Sequence, residues 1–480
     1  MALKKDALLI PFAKIYFMLT GYIFQVIISR LLTKSMIGMF NYVNSVISPI
    51  NMIMVQGGVQ TASHFISKAD KKEYADIKNK VLKLFFSISI SLFLIMQFFA
   101  EDISSVITKD TQNSIYFRIT LIIVLFYSVY AVLIGVFNGQ KKFKNQALFD
   151  ISYSSLKIIS VSIFLVLGFR LYGVFWGWVT ATILITILAF LFSKLKKNEK
   201  SSLSYKDLLK FSSPIIISQL FFYILLNLDT WMLGILSHKD EVLINGGNYL
   251  TVTTLSRIPY QIVISITFII FPFISKLTEL KDKNLIKSYI ESSLRYSILI
   301  AAPFVILISS YPSIFLRIIY GVDFVENSVY LSILVVGILF LALFMINITI
   351  ITASGRPKVS MYITISVLPI SVILNYFLIL DYKLYGVVIA TSISFLLSWF
   401  ISSIYIYKKY KAFLPVKTFL RFILIFISYK FYFSNFSENL SIIKGLLSLV
   451  MGGIVIYILF FILSEFKKND FDTIRNMFKK

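Results

Sequence analysis

Long apolar runs bounded by short polar or charged turns follow one another along the whole chain. A run of roughly 20 apolar residues is long enough to cross the hydrocarbon layer of a bilayer as a helix. The pattern therefore predicts an all-α polytopic membrane protein with about 14 transmembrane helices. The predicted helices lie at residues 7–30, 36–64, 82–100, 114–138, 147–169, 171–193, 208–236, 246–275, 288–310, 327–352, 359–380, 385–407, 414–433 and 443–465.

The composition supports this prediction and argues against several other classes of protein. Hydrophobic residues make up 58% of the 480 residues and charged residues only 15%, and the mean hydropathy is +0.83. The chain has no cysteine and only two histidines, which argues against thiolate chemistry and a metal enzyme. It also lacks the P-loop sequence GxxxxGK[ST]. We therefore expect no enzyme and no cofactor, with any driving force coming from a proton gradient, a sodium gradient or the membrane potential.

Lysine and arginine are concentrated in alternate connections between the predicted helices. Most of the 47 lie in segments on the same side as the N-terminus, such as 68–83, 194–210 and 408–421. Basic loops stay on the cytoplasmic side of a membrane, so both termini are predicted to be cytoplasmic. This topology accounts for the net charge of +24 without a nucleic-acid partner. A composition rich in Ile, Lys, Phe and Tyr is typical of a low-GC prokaryote, and the expected location is its cytoplasmic membrane.

The second half of the chain repeats features of the first half in the same order. The shared features are a glycine before a long apolar helix, a proline within that helix, the sequence FISK at its end, and LYGV further on. Two polar turns, NGQKKF and SGRPKV, also correspond. The pairs are Gly38 and Gly247, Pro49 and Pro259, FISK at 65–68 and 273–276, LYGV at 171–174 and 384–387, and the turns at 138–143 and 354–359.

This duplication predicts three segments. Residues 1–200 form a first lobe of six helices, residues 201–410 form a second lobe of six, and residues 411–480 hold two further helices and a cytoplasmic tail. Both lobes begin on the same side, so they are parallel repeats. Transporters built from such repeats place the substrate site between the halves, near the bilayer midplane.

Three charged residues are predicted to lie well inside helices, where charge is costly and therefore marks a functional candidate. Lys157 lies about ten residues into the fifth helix among small and hydroxyl residues, which predicts that it lines a cavity. The alternative is an ion pair with Asp150 or Asp229. Arg257 lies two residues before Pro259, where a kink would widen a cavity.

Asp229 is the one carboxylate placed well inside a predicted helix. Two roles remain open for it: it takes up a coupling proton or sodium ion, or it forms a latch with Lys157 or Arg257 between the halves. His64 is a second candidate for ion coupling. Because the buried cations outnumber the buried anions, we expect an anionic substrate group, above all a phosphate.

Four other cations lie nearer the ends of their predicted helices. Lys14, Arg30 and Arg118 are candidates for substrate binding, with the alternative that they extend to the membrane surface. Arg295 is predicted to be an interfacial anchor or a bond between helices. No residue is predicted to be catalytic or to bind a metal.

The sequences DLLKFSSPIIISQLFFYILLNLDTWMLG (207–234), GGNYLTVTTLSRIPYQ (246–261), FPFISK (271–276), IIYGVDF (318–324) and GVFNGQKKF (135–143) carry a resemblance to a known family. The chain resembles the polysaccharide-export members of the multidrug/oligosaccharidyl-lipid/polysaccharide (MOP) superfamily over residues 5–410. The resemblance implies a V-shaped pair of six-helix lobes with a central cationic cavity. It further implies a flippase for undecaprenyl-diphosphate-linked oligosaccharides, acting by alternating access among membrane lipids, with Lys157 and Arg257 as cavity cations. A polysaccharide polymerase and glycosyltransferases are the expected protein partners.

Three alternatives remain beside this interpretation. Fourteen helices also resemble the lipid II flippase branch of the superfamily. A drug antiporter of the multidrug and toxin extrusion (MATE) type would need buried carboxylates in excess of buried cations, whereas this chain has the reverse. A membrane-embedded polysaccharide polymerase would need a long external catalytic loop, and no predicted external segment exceeds about twenty residues.

Overall fold

A computed structural model describes residues 2–193, 199–279, 282–433 and 442–466 of the chain. These residues form α-helices, short 3₁₀ helices and irregular connections, and the described part contains no strand. The helices are α1 (Ala2–Leu31), α2 (Lys34–Lys68), α3 (Tyr74–Phe98), α4 (Ala100–Thr108), α5 (Ser114–Gly139), α6 (Phe143–Val166), α7 (Arg170–Phe192), α8 (Tyr205–Leu236), α9 (Val242–Ser256), α10 (Ile258–Glu279), α11 (Lys283–Ser310), α12 (Pro312–Ile319), α13 (Ser328–Ala353), α14 (Pro357–Tyr410), α15 (Val416–Phe433) and α16 (Ile442–Ile462).

The predicted all-α membrane fold is confirmed. Each predicted span overlaps a helix, and ten helices within the described ranges are long and apolar enough to cross a membrane. The predicted eighth span is divided between α9 and α10. Two predicted spans share the 54 residues of α14, whose backbone leaves the helical region at Lys383, with φ 49° and ψ −123°. The short helices α4 and α12 were not predicted.

The chain forms two compact units, Met1–Gly247 and Asn248–Lys480, each held together by its own internal contacts. The division at residues 200 and 410 that the duplication suggests stays a prediction.

The backbone of each unit carries the same sequence of irregularities. A short helix follows α3 and another follows α11, and each is followed by a 3₁₀ helix, at Thr111–Asn113 and Val322–Asn327. A positive φ recurs at corresponding turns, in the pairs Lys109 and Gly321, Lys141 and Gly355, and Arg170 and Lys383. The second pair aligns the two polar turns two residues away from the match expected from their sequences. Turn geometry therefore supports the duplication and corrects its register at that point.

In the first unit, α2 packs closely against α5 through small residues. A Cβ atom on Gly135 would lie 2.6 Å from the carbonyl oxygen of Val59 and 2.8 Å from the Cβ of Ala62. Helices α6 and α7 approach in the same way, since a Cβ on Gly177 would lie 2.6 Å from the Cα of Val161. Small residues permit such close backbone contact within a membrane. These contacts fix the helices that surround the cavity described below.

In the second unit, α15 is attached to α11 and to the end of α16 by a buried ionic cluster. The Arg295 Nε donates to Glu465 Oε1 at 2.7 Å, and the Thr418 hydroxyl donates to the same oxygen at 2.7 Å. The Arg421 guanidinium donates to Glu465 Oε2. Arg295 therefore makes the bond between helices that its position predicted.

Candidate functional site

A cavity of about 240 Å³ lies within the first unit, between α1, α2, α5, α6 and α7. Its wall combines aromatic rings with hydroxyl and amide groups and one ammonium. The polar side chains in the wall are Thr20, Asn44, Ser48, Asn51, Ser154 and Lys157. The wall includes neither aspartate nor glutamate among the residues that the structure describes. The cavity is thus a neutral polar space with a single positive charge.

Lys157 holds its ammonium between two aromatic faces. Its Nζ lies 3.9 Å from the ring centre of Trp178 and 4.4 Å from that of Phe24. A cation over a ring face gains about 0.5–2 kcal/mol, which is much less than the hydration of an ammonium. Among the described residues no carboxylate lies within ion-pair distance of Lys157. Neither of the predicted alternatives, a pair with Asp150 or with Asp229, is observed.

The aromatic faces around Lys157 are held in place by their own contacts. The indole Nε1 of Trp178 donates to the hydroxyl of Tyr153 at 2.9 Å. The ring of Phe40 stands behind both faces, with its centre 5.7 Å from Phe24 and 6.4 Å from Trp178. Because the adjacent Gly177 packs directly on α6, the backbone that carries Trp178 is also fixed. The rings therefore form a packed aromatic surface that the ammonium of Lys157 contacts.

Asn51 is a cavity residue that the sequence analysis missed. Its side chain is 7% exposed, and its Oδ1 has no hydrogen-bond donor in the part of the chain that the structure describes. An acceptor left unsatisfied in a buried position costs about 1–3 kcal/mol. The signal was present in the sequence, because Asn44, Ser48 and Asn51 have the spacing of residues on one helix face. Such a polar face within an apolar helix indicates a cavity.

The three cations predicted near helix ends lie outside this cavity. The Lys14 Nζ lies 3.1 Å from Asp150 Oδ2, and the Lys14 side chain is 54% exposed. The Arg118 Nη2 lies 2.9 Å from Glu101 Oε1, again with both side chains exposed. Arg30 is exposed in the last turn of α1. The structure therefore brings only Lys157 of the predicted first-unit cations to the cavity.

The predicted ion-coupling residues also lie elsewhere in the first unit. Asp229 is buried in α8, where its Oδ1 accepts from the backbone N–H of Thr230 at 2.7 Å. The imidazole of His64 stacks on the ring of Phe211, with centres 4.1 Å apart. Neither residue lines the cavity of Lys157. Their roles in ion coupling stay predictions.

Arg257 belongs to the second unit and stands at the break between α9 and α10. Pro259 has no N–H, so the carbonyl of Leu255 lacks its helical partner and the helix is interrupted there. The backbone N–H of Arg257 still bonds to the carbonyl of Thr253 at 3.1 Å, so the interruption is local. The predicted break in the helix near Pro259 is therefore observed at Arg257 itself, and the widening of a cavity there stays a prediction. A role for Arg257 in substrate binding stays a prediction.

The described residues include no group of three or more His, Asp or Glu side chains that could hold a metal ion. The wall of the cavity itself offers one cation, neutral hydrogen-bonding groups and aromatic rings for recognition. This combination suits binding and release of an anionic polar molecule.

Comparisons with known proteins relate the chain to polysaccharide biosynthesis proteins. Residues 3–278 match the family described as polysaccharide biosynthesis protein, and residues 214–377 match the MatE family. A putative O-antigen transporter of Shigella flexneri is 27% identical over 195 residues, which are 40% of this chain and 45% of that protein. The uncharacterized membrane protein MJ1068 of Methanocaldococcus jannaschii is 27% identical over 135 residues, which are 28% of this chain and 27% of that protein. The matches thus cover less than half of either relative.

Solved structures show a similar fold over nearly the whole chain. The lipid II flippase MurJ in an inward closed conformation has a TM-score of 0.75 and 17% identity, covering 95% of this chain and 97% of that chain. An inward-facing multidrug resistance MATE family transporter of the MOP superfamily has a TM-score of 0.67 and 14% identity, covering 87% and 96%. At these identities the likeness shows the fold alone. The all-α, MOP-like membrane fold that the resemblance in sequence implies is confirmed.

Proposed function

We propose, from the premise that this chain belongs to the polysaccharide biosynthesis protein family, that it is a flippase for polyprenyl-diphosphate-linked oligosaccharides. In this proposal it carries the lipid-linked repeat unit of a cell-surface polysaccharide from the cytoplasmic to the outer leaflet. It changes the position of its substrate and not the covalent structure, so it is not an enzyme. A polymerase and glycosyltransferases would act on the same lipid-linked molecule.

The cation in the cavity is the observation that carries this proposal. The ammonium of Lys157 faces aromatic rings and neutral groups, with no carboxylate within ion-pair distance in the described residues. A cation in such a site attracts an anion strongly because little water screens the charge. A diphosphate supplies several acceptor oxygens and more than one negative charge, so it can replace the weak ring contacts with charge-assisted hydrogen bonds.

The same cavity favours this function over drug export. A cationic drug would need a carboxylate or an aromatic site without a competing charge. The described wall supplies no carboxylate, and Lys157 already occupies the ring faces of Phe24 and Trp178. The charge of the cavity therefore repels organic cations and selects anions.

The experiment follows the lipid-linked oligosaccharide by leaflet in a host that depends on this protein. Cells carrying Lys157→Met should accumulate the molecule on the cytoplasmic face, whereas Lys157→Arg should retain part of the export because the charge remains. Arg118→Gln is the matched control, since it removes an exposed paired cation of the same unit. Protein abundance in the membrane is measured for every variant.

Two outcomes would contradict the proposal. If cells carrying Lys157→Met accumulate complete but unpolymerised oligosaccharide on the outer face, the protein would be assigned to polymerisation. Equal export by wild type and Lys157→Met at matched abundance would remove Lys157 from the substrate path.

A further inference from the structure

The cavity around Lys157 contains more recognition chemistry than a diphosphate can use. Besides the ammonium, its wall includes the rings of Phe24 and Trp178 and the side chain of Asn51, whose buried Oδ1 has no hydrogen-bond donor among the described residues. We infer that this cavity is the subsite for the first sugar of the substrate, with Asn51 and Trp178 as its specificity-determining residues. The inference rests on the proposed function and assigns to these residues the part of the substrate that lies next to the diphosphate.

Asn51 separates a sugar from a phosphate by hydrogen-bond chemistry. An ionised diphosphate offers only acceptor oxygens, and the Oδ1 of Asn51 is itself an acceptor. The two groups cannot bond to each other. A sugar hydroxyl or the N–H of an acetamido group is a donor, and it would satisfy the oxygen that no described residue satisfies. The buried oxygen therefore selects for a neutral donor in the ligand.

The ring of Trp178 supplies the second contact that suits a sugar. An aromatic face is negative, and the C–H bonds on one face of a pyranose ring are slightly positive, so the two surfaces attract. The hydrogen bond from Trp178 to Tyr153 holds this ring in one orientation. In the present arrangement the ammonium of Lys157 covers the ring at 3.9 Å. When a diphosphate draws the ammonium away, the ring face becomes available to the sugar.

The size of the cavity suits about one sugar. Its 240 Å³ corresponds to about eight water molecules, taking about 30 Å³ for each in the liquid. This is smaller than the ~300 Å³ at which pockets for drug-sized ligands begin. We therefore assign the subsite to the one sugar that is attached to the diphosphate.

The test compares two lipids that differ by one sugar. The full-length protein in lipid nanodiscs is titrated with undecaprenyl diphosphate and with undecaprenyl diphosphate bearing one N-acetylglucosamine, and binding is measured by native mass spectrometry. The wild type should bind the glycosylated lipid more tightly. Asn51→Leu should weaken binding of the glycosylated lipid about tenfold, by stranding a sugar donor, and change binding of the bare lipid less than about twofold.

Two further variants keep the test informative if Asn51→Leu does not fold. Gly21 lines the cavity, and a Cβ there would meet no atom within 4 Å. Gly21→Leu should therefore fill space that the sugar needs and reduce the preference for the glycosylated lipid. Trp178→Leu should do the same by removing the ring. Trp176→Phe is the matched control, because Trp176 is exposed on the same helix.

The outcomes distinguish failure of this inference from failure of the proposed function. If wild type binds both lipids equally, or if the Asn51 and Trp178 variants weaken both lipids equally, the sugar subsite is refuted while the flippase proposal stands. If Lys157→Met leaves binding of both lipids unchanged, the anion site of the proposed function is refuted instead.

Discussion

Two regions of the molecule hold a cation among packed helices, and they treat the charge in opposite ways. In the second unit, Arg295 is 6% exposed and bonds to the carboxylate of Glu465, which Arg421 and Thr418 also contact. In the first unit, Lys157 faces aromatic rings and has no carboxylate within ion-pair distance in the described residues. The first arrangement satisfies a charge permanently. The second leaves the charge without a paired carboxylate among the described residues, which is the basis for proposing it as an anion site.

The comparison gives a physical criterion for separating structural from functional cations. A buried ion pair is strongly destabilised when one partner is lost, because the other charge stays buried without compensation. When a cation that contacts only ring faces is removed, the folded protein loses little stability, because the cost of desolvating the charge disappears with it. Stability measurements can therefore test which arrangement each cation belongs to.

The largest expected effect follows from breaking the cluster of the second unit. Arg295→Met should reduce the free energy of unfolding by about 3–5 kcal/mol, because Glu465 keeps its charge in a buried site with one arginine fewer. Thermal unfolding of the purified protein in detergent measures this loss. The double variant Arg295→Met/Glu465→Gln should recover part of it, since the uncompensated charge is gone. A single variant as stable as wild type would contradict the structural assignment.

The same cluster predicts a dependence of stability on pH. Burial raises the pKa of the Glu465 carboxyl, but hydrogen bonds from Thr418, Arg295 and Arg421 outweigh it, so the pKa lies below its ordinary value of 4.5. A lowered pKa in the folded state means that the cluster contributes its full stability above pH 4.5 and loses it as the pH falls through the depressed pKa. The melting temperature should therefore fall in that acidic range.

Glu465→Gln is the control for the acid effect. This variant has no carboxyl at position 465 to protonate, so the part of the pH dependence that comes from the cluster should vanish. If the melting temperature of wild type and variant fall in parallel with acidification, another carboxyl is responsible.

A smaller effect on stability is expected at the cavity of the first unit. Lys157→Met should change the free energy of unfolding by about 1 kcal/mol or less, because the lost ring contacts are offset by the removed cost of burying a charge. Thermal unfolding under the conditions used for Arg295→Met gives the direct contrast. A loss as large as that of Arg295→Met would show that Lys157 is a structural cation, and the distinction between the two cations would then be wrong.

The membrane spans could be predicted from the sequence because the bilayer imposes their length and apolar character. The break near Arg257 followed from the missing N–H of Pro259. The short helices α4 and α12 were not predictable in the same way, since eight or nine residues are too few for a span. Only the structure shows these two short helices, each between two longer ones.

The candidate site was less accessible from the sequence than the fold. Lys157 stood out because a charge deep in an apolar helix is rare. Trp178 did not, because nothing local distinguishes it from the exposed Trp176 two residues earlier. The partner of Asp150 was also hidden, since Lys14 lies 136 residues away in the sequence. Contacts of this kind depend on helix packing, which the local pattern does not encode.

The smallest expected effect concerns an ion pair in which only the cation is exposed. Lys14→Met removes the partner of Asp150, whose side chain is 12% exposed, but the Lys14 side chain is 54% exposed and its charge is already hydrated. The free energy of unfolding should change by about 0.2–1 kcal/mol, and less at high salt, because water and ions screen the pair. Thermal unfolding at low and high salt measures both quantities. A larger loss that salt does not reduce would mean that Asp150 needs Lys14 as Glu465 needs Arg295, and exposure would then fail as the property that separates the two kinds of pair.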